Sequence, residues 1–205
     1  LLDKAESQIF KISDTQLRRA ASPLNEVVKD TLEQLEAIHG RKGGITGVPS
    51  GFGKLDEKTS GWQNSDLIII AARPSMGKTA FSLACALNAA THPRLPTGVA
   101  IFSLEMGAQQ LAQRLLTSEA RVDAQRARTG RMRDDDWQRL ARAAGKLSEA
   151  DIFIDDTPGL TVLELRAKCR RLKAEHDIGL VVVDYLQLMQ GSTSNRNANR
   201  EQEIA

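Results

Sequence analysis

With 205 residues, of which 41% are apolar and only 4% aromatic, the chain can build one substantial domain plus an appendage, with a core of Ala, Leu, Ile and Val. A net charge of +2 selects no partner, and two cysteines, Cys85 and Cys169, form neither a disulfide framework nor a metal-ligand spacing and suit a reducing cytoplasm. No signal peptide is visible, and no apolar run approaches the ~18 residues of a membrane span.

Leu1 is not an initiator Met, and Leu2, Ala5, Ile9 and Ile12 already recur at helical spacing. The expectation is a piece of a longer protein, entered inside a helix. Ser13 to Ser22 is polar and reads as a linker. Ser22-Pro23 then marks a helix start, with Ser22 as cap and Pro23 in the first turn. Val28, Leu32, Leu35 and Ile38 form one apolar stripe, and Gly40 to Gly44 reads as a hinge. That stripe must be covered by its own domain or by a neighbouring chain.

From Ile45 to Trp62 neither helical nor strand periodicity holds. Gly47, Gly51, Gly53 and Gly61 punctuate the stretch, and Phe52 and Leu55 are its natural anchors to a core. Leu67 to Ala72 is predicted as the first strand, and Thr79 to Ala90 as a helix. A loop at His92 to Gly98 leads to a second strand, Val99 to Leu104. Helices are predicted over Gln109–Ala120 and Asp134–Leu147. In the latter, Trp137, Leu140, Ala144 and Leu147 are assigned to the buried stripe, and Asp134, Asp135 and Asp136 sit favourably at the positive end. A third strand follows at Ile152 to Ile154. Thr161 and Glu164 have capping-box spacing and open a helix to His176. The fourth strand, Leu180 to Val183, ends at Asp184. His39, His92 and His176 read as surface or capping residues. Apolar strands alternating with helices indicate an α/β fold, a parallel sheet covered on both faces.

Between the first strand and its helix lies Ala72-Arg73-Pro74-Ser75-Met76-Gly77-Lys78-Thr79. Strand, loop and helix with Gly-Lys-Thr at the joint is the arrangement phosphate binding requires, because backbone N–H groups and the helix dipole converge on an anion. Residues Arg73, Pro74, Ser75, Met76, Gly77, Lys78, Thr79 and Ala80 are expected to line a bound ATP. Lys78 would reach the β- and γ-phosphates, and the Thr79 hydroxyl would ligate Mg²⁺. The usual pattern opens with Gly, where this chain has Ala72, so the loop must turn without a residue indifferent to positive φ. Asp184, closing an apolar strand, would hold Mg²⁺ opposite Thr79. Tyr185 follows it, so a general base must come from another strand. Glu105, between Leu104 and Met106, is the first candidate, and its apolar flanks would keep a base poised. Asp155 and Asp156 are its rivals, although Thr157-Pro158-Gly159 suggests that they start a turn.

Two basic groups, Arg121 to Arg133 and Arg166-Arg170-Lys173, read as solvated or inter-subunit faces, since no aromatic residue interleaves for base stacking. The polar tail from Gln190 onward carries Arg196 and Arg200, weak candidates for a DNA contact.

The chain resembles the replicative DNA helicases of the bacterial DnaB type. The matching strings are Thr46-Gly47-Val48-Pro49-Ser50-Gly51-Phe52 with Leu55-Asp56, the Ala72 to Thr79 loop, Ser103-Leu104-Glu105-Met106, and Asp184-Tyr185-Leu186-Gln187-Leu188-Met189. The family also carries Ala at the first loop position. The resemblance implies a RecA-like P-loop ATPase core in a ring-shaped hexamer around single-stranded DNA, with primase and a helicase loader as partners. It makes Glu105 the catalytic base and Arg114 its partner. It makes residues 1–22 the end of an amino-terminal domain, 23–44 a linker helix and hinge, and 45–205 the amino-terminal portion of the ATPase domain. The arginine finger, phosphate sensor and main DNA-binding loop would then lie beyond Ala205. A RecA-like switch without unwinding activity is the alternative reading.

Overall fold

The sheet is built around β1 (Gly98–Ser103), whose residues from Val99 onward are all buried. It is flanked by β2 (Ile152–Asp155) and β3 (Ile178–Asp184) in the order β2-β1-β3, and both pairings are parallel. This is a computed structural model, and it describes residues 23–39 and 44–190. The helix predicted at Leu1 to Ile12, the linker after it, Gly40 to Gly43 and the tail with Arg196 and Arg200 lie outside the described residues. The chain divides at Gly44 and Ile45 into two units. Helix α1 (Leu24–His39) belongs to the first.

Alternation along the strands sends side chains to two separate cores. On one face Val99 and Ile101 pack with Ile152, Ile154, Leu180 and Val182. They lie against α3 (Lys78–Ala90), through Leu83, Ala86, Leu87 and Ala90, and against α4 (Ala108–Ala120), through Leu111 and Leu115. On the other face Ala100 and Phe102 pack with Phe153, Val183 and Leu160, and α7 (Val162–His176) contributes Leu165, Cys169 and Leu172. The expected two-sided cover is therefore present. Three alanines of α3, Ala86, Ala89 and Ala90, are buried in the first of these cores, consistent with a core short of aromatic residues.

Four features differ from the sequence reading. Leu67 to Ala72 is not a strand: Leu67 is 86% and Ile69 78% exposed, and the segment pairs with no strand among the described residues. An apolar run specifies burial, but a strand also requires a neighbour for its N–H and C=O groups. Second, Gly53–Thr59 forms a short helix, α2, within the stretch that carries no helical periodicity. Third, Ala124–Thr129 is helical (α5) inside the arginine-rich segment, capped by Asp123, which accepts from the Arg126 amide at 2.8 Å. Fourth, in α6 (Asp134–Ser148) the buried residues are Asp136, Leu140 and Ala143, while Trp137 is 60% exposed and Ala144 is also at the surface.

The rotation of α6 has a local cause. Asp136 is fully buried and accepts from the backbone N–H of Arg133 at 3.0 Å, closing the first turn. Arg126 approaches it at 3.5 Å, and Arg139 donates to its other oxygen. These partners, the Arg133 amide foremost and against the opposing cost of burial, hold the Asp136 carboxyl below the usual carboxylate range. Satisfying that charge turns Trp137 outward. One member of the arginine cluster, Arg126, is thereby committed to packing α5 and α6 rather than to a ligand.

The glycine-rich stretch before α3 is ordered by hydrogen bonds instead of periodicity. Val48 and Trp62 form an antiparallel bridge. Buried Asp56 accepts from the Ser50 amide at 2.8 Å, the Ser50 hydroxyl at 2.6 Å and the Gly51 amide at 3.1 Å. Asn88 of α3 donates to the Ser50 carbonyl at 3.1 Å, and Phe52 stacks on Phe81 with ring centroids 5.0 Å apart. Phe52 thus anchors the segment to α3, as expected.

Candidate functional site

The three paired strands are parallel, so their carboxyl ends share one edge. Phe102 registers with both Asp155 and Val183, and Ser103 registers with Asp184. Ligands of such sheets gather at this edge. Asp184 is buried there, and its Oδ2 accepts a hydrogen bond from Thr79 Oγ1 at 2.7 Å, across 105 residues of sequence. The two halves of the phosphate and metal site read from the sequence are in contact.

The loop from Arg73 to Gly77 reaches α3 through two left-handed residues, Ser75 (φ 64°) and Gly77 (φ 86°). Ala72 is not among the positive-φ residues. The expected conformational problem at Ala72 does not arise, because the turn is made at Ser75 instead. The Met76 amide closes it onto the Arg73 carbonyl at 3.3 Å. A Cβ at Gly77 would meet nothing within 4 Å, so its backbone faces open space.

What surrounds the first turn of α3 sets it apart from the later helices. A helix start leaves N–H donors without intrahelical partners. At α4 the Ala108 amide is taken by Asp156 at 2.8 Å. At α5 Asp123 serves, at α6 Asp136, and at α7 Thr161 and Glu164, which close the expected capping box. At α3 no side chain caps the helix and no acidic residue lies in its first turn. The positive end of this helix is open to an anion, with Lys78 as its first residue. A hydroxyl and a carboxylate 2.7 Å apart beside it are a hard-oxygen pair. They suit Mg²⁺, which takes one or two protein oxygens and completes its shell with phosphate and water. Among the described residues no group of three or more His, Cys, Asp or Glu side chains is arranged to hold a metal without such a ligand.

Glu105 follows β1 and is solvent-exposed, so the apolar setting expected for it is absent. Its position is nevertheless fixed. Leu104 packs into one core and Met106 into the other. The Leu104 amide donates to the Asp184 carbonyl at 2.8 Å, and the Met106 amide to Ser103 Oγ at 3.2 Å. The rivals are occupied: Asp155 accepts from the Thr157 amide at 3.0 Å and from Lys168, while Asp156 caps α4. Burial raises the Asp155 carboxyl, but the bonds from Lys168 and Thr157 outweigh it and leave the group below its ordinary value. Arg114 is exposed on α4, and no ion pair joins it to Glu105 among the described residues. One contact was not anticipated: Lys78 Nζ lies 4.8 Å from the centroid of the Tyr185 ring.

An uncapped, glycine-initiated helix beside a buried strand-end aspartate, on a parallel sheet covered on both faces, defines a P-loop nucleoside-triphosphatase core of the RecA-like type. Residues 47–205 match the family described as the DnaB-like helicase C terminal domain, and the chain belongs to that family. Over its whole length it is 68% identical to the replicative DNA helicase DnaB of Rhodothermus marinus, of which it covers 22%. It is likewise 49% identical to the replicative DNA helicase DnaC of Bacillus subtilis (strain 168), of which it covers 44%. The chain thus spans less than half the length of these relatives. Among solved structures it is similar to the ATPase domain of G40P, with a TM-score of 0.80 and 34% identity over 90% of this chain and 64% of that one. It is also similar to a structure of a DnaB-like replicative helicase and its interactions with primase, with a TM-score of 0.75, 33% identity, and 98% and 47% coverage.

Proposed function

We propose that the chain is the nucleotide-binding part of an ATP-driven replicative DNA helicase motor, whose complete form moves on single-stranded DNA and unwinds duplex. The observation that carries this reading is the contact between Thr79 and Asp184, which joins the phosphate loop to the strand-end carboxylate.

In this reading the residues from Arg73 to Ala80 cradle the triphosphate, with backbone amides at the start of α3 as donors and Lys78 as the cation. Thr79 and Asp184 would hold Mg²⁺, which would supply positive charge to offset that of the triphosphate. Glu105 orients the attacking water and accepts its proton. It reaches outward from a loop tied to the Asp184 backbone, so base and carboxylate keep a fixed relation. Arg114 acts as the partner of Glu105. Residues 1–22, 23–44 and 45–205 are assigned to the end of a preceding domain, a linker helix with hinge, and the ATPase domain. Arg196 and Arg200 are the basic residues we assign, on sequence position alone, to a DNA contact.

Homo-hexamer formation and association with a loader and with primase complete the proposal. The printed description of one structural neighbour, which includes interactions with primase, supports the last of these. No helix of the described residues is long and apolar enough to cross a membrane. Two free cysteines, one buried, support a cytoplasmic setting.

The test is calorimetric. Lys78→Ala in the full-length protein removes the cation of the loop and is expected to weaken MgATP binding at least tenfold, the scale of one lost charge-assisted phosphate contact of about 1.5–3 kcal/mol. Equal affinity in variant and parent would refute the site. Unwinding of a forked duplex by the full-length parent separates a helicase from a RecA-like switch.

A further inference from the structure

Two consecutive residues at the start of α3 are engaged by the last residue of β3 and the one that follows it. Thr79 meets Asp184, and Lys78 meets Tyr185. The first contact joins groups already assigned to a metal. The second joins the phosphate-binding cation to a ring that has no assigned role.

We propose that Tyr185 is a positioning residue that holds the Lys78 ammonium over its ring face, and that ring and phosphate compete for that ammonium. This inference rests on the assignment of Lys78 to the phosphates.

Lys78 Nζ lies 4.8 Å from the Tyr185 centroid, inside the range over which an ammonium is attracted to a ring face. Lys78 is only half-buried, and no carboxylate among the described residues lies within ion-pair distance of it. The nearest charge in sequence on the opposing strand is Asp184, which directs its Oδ2 to Thr79. The ring is therefore the partner that the fold supplies for the ammonium. Tyr185 is itself held: its carbonyl accepts from the Leu188 amide at 3.1 Å, and the Asp184 carbonyl before it accepts from Leu104 at 2.8 Å. A backbone held in this way fixes the point from which the ring projects, while Lys78 sits on a flexible stem.

The chemistry sets the sign of the effect. A ring face binds an ammonium weakly, and a phosphate binds it with full charge. The ring can therefore keep the cation from collapsing onto a carboxylate yet release it to nucleotide. Competition of this kind lowers apparent nucleotide affinity by the strength of the contact, about two- to fivefold for a partly exposed cation–π pair.

The test uses the full-length protein and MgADP, with affinity read by calorimetry. Tyr185→Leu is expected to bind about two- to fivefold more tightly than the parent, and Tyr185→Phe, which keeps the ring, to return the parent value. Pentafluorophenylalanine at position 185 keeps the shape but inverts the ring's charge distribution. It should match Tyr185→Leu, and it keeps the test valid if the leucine variant does not fold. In a Lys78→Ala background the leucine substitution should change nothing. Equal affinities across the Tyr185 series, parallel shifts in the leucine and phenylalanine variants, or weaker binding by the leucine variant would each overturn the proposal. If Lys78→Ala alone leaves affinity unchanged, the phosphate assignment itself is wrong, which is a separate outcome.

Discussion

Asp155 directs its oxygens to Thr157 and Lys168, and Asp156 directs one to the start of α4. Glu105 has no such structural duty and stands at the same edge of the sheet. We therefore expect Glu105→Gln, in the full-length protein, to keep its ATP affinity and lose turnover by about 10²-fold or more, the size of a lost general base. Steady-state hydrolysis with parallel calorimetry checks it, and a Gln variant that turns over normally would move the base elsewhere. Asp156→Asn should retain turnover and loosen the start of α4. Asp136 presents a different test at this scale. Its folded-state pKa lies below the ordinary value of 3.8, set first by the Arg133 amide. Its contribution to stability is therefore complete above that ordinary value and is lost as pH falls through the folded value. Asp136→Ala should melt at a lower temperature than the parent at neutral pH, and the gap should narrow as the solution is acidified below about pH 4. A gap that stays constant with pH would mean that packing, not charge, is what the variant loses.

At the scale of elements, the conformation of the stretch before α3 turns on glycine. Gly51 has φ 79°, and a Cβ there would lie 2.2 Å from the Asn88 amide nitrogen, whereas a Cβ at Gly53 meets nothing within 4 Å. Gly51→Ala is expected to cost about 1–3 kcal/mol in denaturant unfolding, through strained backbone and overpacking. Gly53→Ala should be neutral or slightly stabilising. Similar losses in both would show that flexibility, not the contact with Asn88, matters at Gly51. The same stretch marks what could be read in the sequence. Elements held by periodic burial were legible: α3, β1, α4, α6, β2, α7 and β3 all fall within a few residues of expectation. Short elements held by single polar contacts were not. Helix α2 depends on Asp56 gathering the Ser50 and Gly51 amides, and α5 on Asp123. Such contacts leave no repeating pattern. Leu67 to Ala72 failed in the opposite sense, with a clear apolar signal but no strand among the described residues to pair with. At the site, local motifs singled out Thr79 and Asp184, which the fold brings into contact. The position of the loop turn at Ser75, and the ring of Tyr185 over Lys78, depend on backbone angles and on a meeting of distant residues.

For the whole molecule, the open question is what covers α1. Its 16 residues carry Leu32 and Leu35 at 56% and 55% exposure, and Val28 on the same stripe is also exposed. A helix of this length is marginal in water unless a packing surface holds it. We propose, with the family reading, that the surface belongs to a neighbouring subunit. Leu32→Ala with Leu35→Ala then has a defined consequence, because each leucine lost from a packed site costs about 2–5 kcal/mol. If the site lies between subunits, that loss falls on assembly. Sedimentation of the full-length double variant with nucleotide should show the oligomer dissociating, while the melting of the separated subunit is nearly unaltered. If the stripe instead folds back on its own domain, the oligomer will persist and the subunit will melt earlier at every protein concentration. The concentration dependence of melting separates the two independently: if the stripe is shared between chains, the double variant should lose part of the rise of stability with subunit concentration that the parent shows, and if it is not, the two slopes should agree.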